Sequence, residues 1–283
     1  MMSRLKSKRV GCFPILLLLA WLPYVDAAQV DISARYRGQT DGHFENTTPP
    51  PAFCDYWGIC EHMDAVAVPL TFTKTLINRA ANPRDQLLIK MPGQRRVTLM
   101  HESTGDSYDA NFEFIAVSQQ TKSYHQDINP VGADVQGGCS FIAGEIEEDY
   151  YPVSYFVWSI ANPINPPPCY ERSSWGEPVG SRLDVDVYGM AIGYRLYLPP
   201  AQRMTQGIYR GSVQYPVGPG ADFDFGDNVS NLSSTMVNVD FEVDVQHVFN
   251  LEFPANSDIA VLEPPGGWKA WLGGRGSPAA AVP

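Results

Sequence analysis

Val237-Asn238-Val239-Asp240-Phe241-Glu242-Val243-Asp244-Val245-Gln246-His247-Val248-Phe249-Asn250-Leu251-Glu252-Phe253 alternates apolar and polar side chains almost without a break. His247 is the exception among the odd positions, which are otherwise Val, Phe or Leu. A period of two puts those side chains on one face of an extended strand, whereas a helix would scatter them around its circumference. At about 3.3 Å per residue the run would extend about 55 Å, too long for one ordinary strand. A turn or sharp bend is therefore expected near residues 246–247, giving two strands, with His247 at the turn or as a satisfied core histidine. One apolar face needs an opposing layer to bury it, so the predicted fold is all-β, a β-sandwich or barrel.

The flanks set the compartment. Arg4, Lys6, Lys8 and Arg9 precede an apolar run over 11–24 and a small-residue site at Val25-Asp26-Ala27. This reads as a signal peptide over residues 1–27 rather than a membrane anchor, because the apolar run is short. The expected mature protein is soluble and exported. Removal of 1–27 takes four of 20 Lys+Arg and one of 31 Asp+Glu, which leaves a net charge of −14. That balance argues against nucleic acid and anionic membranes as partners. Cys54, Cys60, Cys139 and Cys169 remain, an even count that reads as two disulfides in an exported chain. Three pairings are open, and proximity favours Cys54–Cys60 with Cys139–Cys169.

Along the chain, alternation predicts strands at 29–36, 111–117 and 183–188, enrichment in β-branched, apolar and aromatic residues predicts them at 64–77 and 150–160, and regular patterning returns at 192–198 and 208–215, with Pro69 marking an edge or bulge. Segments 86–91 and 95–100 flank Pro92-Gly93 and read as a hairpin. Residues 121–182 form a looser excursion, with four prolines in 162–168 and an acidic run at Glu145, Glu147, Glu148 and Asp149. Residues 216–235 read as a loop. The expectation is 11 or 12 strands and no capped amphipathic helix.

Nucleotide-binding, zinc-protease and serine-hydrolase motifs are absent from the sequence, and no cofactor or metal is expected. Asp222, Asp224, Asp227 and Asn228 crowd several oxygens into one loop, a pattern that suits calcium, but without EF-hand spacing. The acidic run at 145–149 could supply paired carboxylates for a secreted glycosidase, though a solvated acidic loop explains it more simply. Aromatic residues are more suggestive. Trp57 lies inside the Cys54–Cys60 ring, and Tyr150, Tyr151, Tyr155, Trp158, Tyr170 and Trp175 crowd the excursion. Some must be core; Trp57 and Trp175 are the candidates for a binding surface.

Gly207-Ile208-Tyr209-Arg210-Gly211-Ser212-Val213 resembles the G-x-Y-x-G-x-V motif of chaperone–usher pilus subunits. The order around it is more specific: Leu196-Tyr197-Leu198-Pro199, a short connector, this motif, a loop, a long alternating strand and a close on Phe253-Pro254. With the two cysteine pairs and Thr71-Phe72-Thr73-Lys74 between them, most of 28–254 is similar to the adhesin domain of class 5 (colonisation-factor-antigen type) and CblD-like fimbrial tip subunits. The resemblance implies an elongated immunoglobulin-like β-sandwich with long loops, no enzymatic activity, and binding of a host-cell glycan or glycoprotein receptor at the fimbrium tip. It implies a periplasmic chaperone, an outer-membrane usher and an adjacent pilin subunit as partners, with the chain initiating pilus assembly. Residues 255–283 are expected to be a linker leading to the truncated start of a missing pilin domain. The family uses a distal basic patch for receptor binding; its strand here ends in Tyr215-Pro216, so Arg79, Arg84, Arg95, Arg96 and Arg210 stand in as candidates. The competing readings are a secreted β-sandwich glycosidase or carbohydrate-binding module, and a structural pilin without a receptor. A shaft pilin would keep its N-terminal strand free for donation, whereas 29–36 reads as part of the domain.

Overall fold

A computed structural model describes residues 27–38, 42–54, 59–123, 134–147 and 153–247. Residues 1–26, Trp57, residues 148–151, residues 248–253 of the opening stripe and 255–283 lie outside the described residues. The fold is all-β. Its strands are β1 (Ala28–Arg37), β2 (Glu45–Asn46), β3 (Asp64–Val68), β4 (Phe72–Ile77), β5 (Leu87–Ile89), β6 (Arg95–His101), β7 (Ser107–Ser123), β8 (Gln136–Gly137), β9 (Cys139–Glu147), β10 (Val153–Ile160), β11 (Cys169–Glu171), β12 (Arg182–Tyr197), β13 (Gly207–Pro216), β14 (Val229–Ser230) and β15 (Met236–Gln246). Helix is confined to single short turns among the described residues.

The deciding stretch becomes β15, with Val237, Val239, Phe241, Val243 and Val245 all buried. It runs between β13, antiparallel, and β1, parallel, in unbroken register from Ala28↔Val237 to Arg37↔Gln246. The strand stops at Gln246, where the bend was expected. There the His247 ring bonds to the Met204 carbonyl at 2.8 Å and meets Tyr36 edge-on, a structural histidine at a strand end.

Two long strands turn the sheet over on itself. The first half of β7 pairs with β6 and its second half with β10. β12 pairs with β7 along nearly its whole length, and takes β4 beside its first half and β3 beside its second. Register shifts at Val187/Gly189 and Gly193/Tyr194 bend the pair, as bulges do. The result is a sandwich-like stack built from one 12-stranded path, β14-β4-β12-β7-β6-β13-β15-β1-β2 with β10, β9 and β3 branching from it, and a 3-stranded sheet β5-β11-β8. Aromatic rings fill the space between layers: Phe112 lies 5.0 Å from Phe241 and 5.7 Å from Tyr194, and Phe114 lies 5.3 Å from Tyr215.

Several expectations are corrected. Segment 64–77 is two strands, because Pro69 cannot donate to the ladder and the chain breaks there. The segments around Pro92-Gly93 are not a hairpin: β5 pairs with β11 in the small sheet, and β6 pairs with β7 and β13. Gly93 instead lies against the proline-rich segment, where an added Cβ would come within 2.6 Å of the Ile164 carbonyl oxygen. Gln94 N–H donates to the Pro163 carbonyl at 3.0 Å. Segments 183–188 and 192–198 merge into the single β12, and the excursion carries four strands of its own, β8 to β11. The described residues hold 15 strands rather than 11 or 12.

Both favoured disulfides are present, Cys54–Cys60 and Cys139–Cys169. They mark an oxidising compartment. Cys54–Cys60 closes an arm that lies on the outer face of the main sheet. Phe53 packs there on Ala65, Ala116, Val157 and Ala191, small residues that let the arm approach closely. Cys139–Cys169 joins the large sheet to the small one across 30 residues. Serine at both Cys139 and Cys169 should cost about 3.5 kcal/mol of stability through the loop released in the unfolded chain. Thermal unfolding of the double variant checks this; a loss below about 1 kcal/mol would mean the excursion is held by its pairing alone.

Candidate functional site

The five candidate arginines do not assemble into one basic patch. Arg84 donates to both oxygens of Asp224, at 2.8 and 3.1 Å, and to Asp227 at 2.9 Å. Arg95 pairs with Asp222 and lies 4.8 Å above the Tyr215 ring. Arg96 pairs with Asp109 at 3.4 Å, and Arg210 with Glu102 and, at 2.7 Å, with Glu242. Arg79, with φ of 54°, donates to the Ser174 hydroxyl at 3.2 Å and lies on a different turn. Four of the five are thus matched by carboxylates.

The acidic loop considered for calcium has arginine as its counter-ion. The Asp224 carboxylate also accepts the backbone N–H groups of Gly220 and Gly226. Beside it the buried Lys74 ammonium donates to the carbonyls of Arg84, Phe225 and Asp227. Burial lowers the Lys74 pKa to about 8, against the opposing pull of Asp227 and Asp85. Burial raises the Asp224 pKa, but the hydrogen bonds from Arg84, Gly226 and Gly220 outweigh it, and the carboxyl sits below its ordinary 3.8. This network pins the 218–228 loop to the turn at 83–85.

Trp175 is corrected from surface to core. It is 7% exposed, and its backbone N–H donates to the Asn78 side chain. The excursion needs an apolar anchor where it rejoins the domain, and Trp175 supplies it. Trp158 is fully buried.

A concave surface lies elsewhere. On the outer face of the main sheet, Tyr155 of β10 stands opposite Gln120 of β7, and Gln120 opposite Gly189 of β12. Phe53 of the arm covers the neighbouring row, and among the described residues the Tyr155–Gln120–Gly189 row stays open beside Pro51 and Ala52. Tyr155, Gln120, Ser118 and Gly189 with the arm enclose a hollow of about 150 Å³. It shares Ala67, Gly189 and Met190 with a trough of about 540 Å³, which is bounded by Pro49, Pro50 and Tyr188. Tyr188 is 43% exposed; burial of part of it, then its hydrogen bond to Tyr155, raises its pKa. Sequence reasoning named Tyr155 as one of many aromatics and missed Gln120, Gly189 and Tyr188. Their only signal is strand register, which alternation alone does not reveal.

A scan against models of known protein families finds no match, and searches of curated proteins and of solved structures find none either.

Proposed function

We propose that this chain is the tip adhesin and assembly initiator of a class 5-type chaperone–usher pilus, binding a host-cell glycoconjugate and lacking enzymatic activity. The observation that carries the reading is the state of β1. It begins directly after the predicted cleavage site, and all ten of its residues pair in register with β15. Val30 and Ile32 are 1% and 2% exposed, so β1 fills the core rather than waiting to be donated to a neighbour. That favours a tip subunit over a shaft pilin. The oxidising compartment marked by the disulfides agrees with passage through a periplasm, where a chaperone would deliver the chain to an outer-membrane usher under this reading. The glycosidase reading draws less support, because Glu145 and Glu147 stand exposed on β9 rather than facing each other across a cleft.

Beads coated with the full mature chain should adhere to a panel of mammalian epithelial cells and erythrocytes, and lose adherence when the disulfides are reduced. Absence of binding to every cell type would overturn the adhesin reading.

A further inference from the structure

Building on the adhesin reading, we propose that the hollow formed by Tyr155, Gln120 and Gly189 is the receptor site, and that it takes one uncharged pyranose ring. A sugar ring has an apolar C–H face and a rim of hydroxyls. The half-buried Tyr155 supplies an aromatic face for the first. Gln120 supplies an amide that both donates and accepts for the second. Gly189 makes the room. A Cβ there would come within 2.4 Å of Gln120 Oε1, so the missing side chain leaves space for the amide above the sheet. The hollow of about 150 Å³ is small, and the proline-bounded trough running from it offers room for the next sugar of a chain. A small number of polar groups set in a largely apolar concavity is the usual composition of a small-molecule site.

Charge selects among sugars. Glu145 of β9 stands opposite Tyr155 in the same row, and Asp31 borders the trough. Four of the five candidate arginines are already matched by carboxylates. A sialylated or sulfated ring would meet repulsion here, whereas an uncharged one would not.

The test uses the full mature chain on an array of uncharged mono- and oligosaccharides beside sialylated and sulfated ones, together with the cell-adherence assay. Tyr155→Ala and Gln120→Ala should each weaken binding of the uncharged ligand about tenfold. Gly189→Ala should do the same by pushing the flexible end of Gln120 into the hollow without touching the core. Arg96→Ala and Arg210→Ala should leave binding unchanged, and circular dichroism should show all five variants folded. Undiminished cell adherence in the three groove variants would overturn this site while leaving the adhesin reading standing. Binding restricted to charged glycans would overturn the choice of ligand. A wild-type chain that binds neither cells nor glycans would remove the reading on which the site rests.

Discussion

Phe112→Ala should destabilise the domain by about 4 kcal/mol, lowering its melting temperature by roughly 8–16 °C for a chain of this size. Phe112 is fully buried at the point where β7 passes between its two partners. Its ring meets Phe114 at 5.0 Å on its own strand, Tyr194 at 5.7 Å on β12 and Phe241 at 5.0 Å on β15. Alanine removes the transfer energy of the ring and leaves a cavity whose walls come from both layers. Such walls cannot collapse inward without moving whole strands, so the cavity penalty adds to the transfer loss. Thermal or urea unfolding measures the effect. A loss below about 2 kcal/mol would show that the layers close over the gap and that this ring is not the joint between them.

Arg84→Met should cost about 3 kcal/mol at neutral pH, the low end for a buried pair because solvent screens the arginine. The Asp224 side chain is only 3% exposed and depends on Arg84 for its charged partner. The Arg84 side chain is itself 34% exposed, but its removal leaves the Asp224 charge desolvated with only the Gly220 and Gly226 N–H groups to offset it, and that penalty, rather than the value of the pair itself, dominates. Methionine keeps most of the stem volume, so the loss reports charge rather than packing. The pH dependence separates this from a packing defect. In the wild type the folded Asp224 pKa lies below 3.8, so its stabilising contribution is complete above that value and is lost as pH falls through the folded pKa. In the variant, burial acts without Arg84 and moves the folded pKa upward, so protonation relieves the strain as the solution is acidified. The stability gap between the two proteins should therefore narrow below about pH 4. A gap constant from pH 7 to pH 3 would refute an electrostatic origin.

The arginine role predicted from the family resemblance and the role found in the network differ for a physical reason. An arginine in a sequence announces a charge but not its partner, and the partners here lie 140 and 143 residues away. Similarly, Trp175 in a loop-rich excursion looks available to a ligand until the chain folds back and covers it. The Pro92-Gly93 segment has local turn chemistry suited to a hairpin. The proline-rich segment that binds its far side draws β5 and β6 into different sheets, and tertiary pairing overrides the turn signal.

What could be read from the residues alone was whatever depends on near neighbours. The period of two is a property of the pleat, so all-β class, the buried face of β15, the halt near 246–247 and the small Cys54–Cys60 ring follow from local geometry. Proximity also favoured the correct Cys139–Cys169 pair. Only the tertiary structure decided which strands lie side by side. β1 and β15 meet in register across more than 200 residues, as the 209-residue separation of the Asn238–Gln29 hydrogen bond shows. The open row of Tyr155, Gln120 and Gly189 is likewise assembled from three strands and left uncovered by an arm from a fourth region. Strand partners are chosen by burial and loop closure over the whole chain, and one residue of slip would turn each of these side chains to the opposite face.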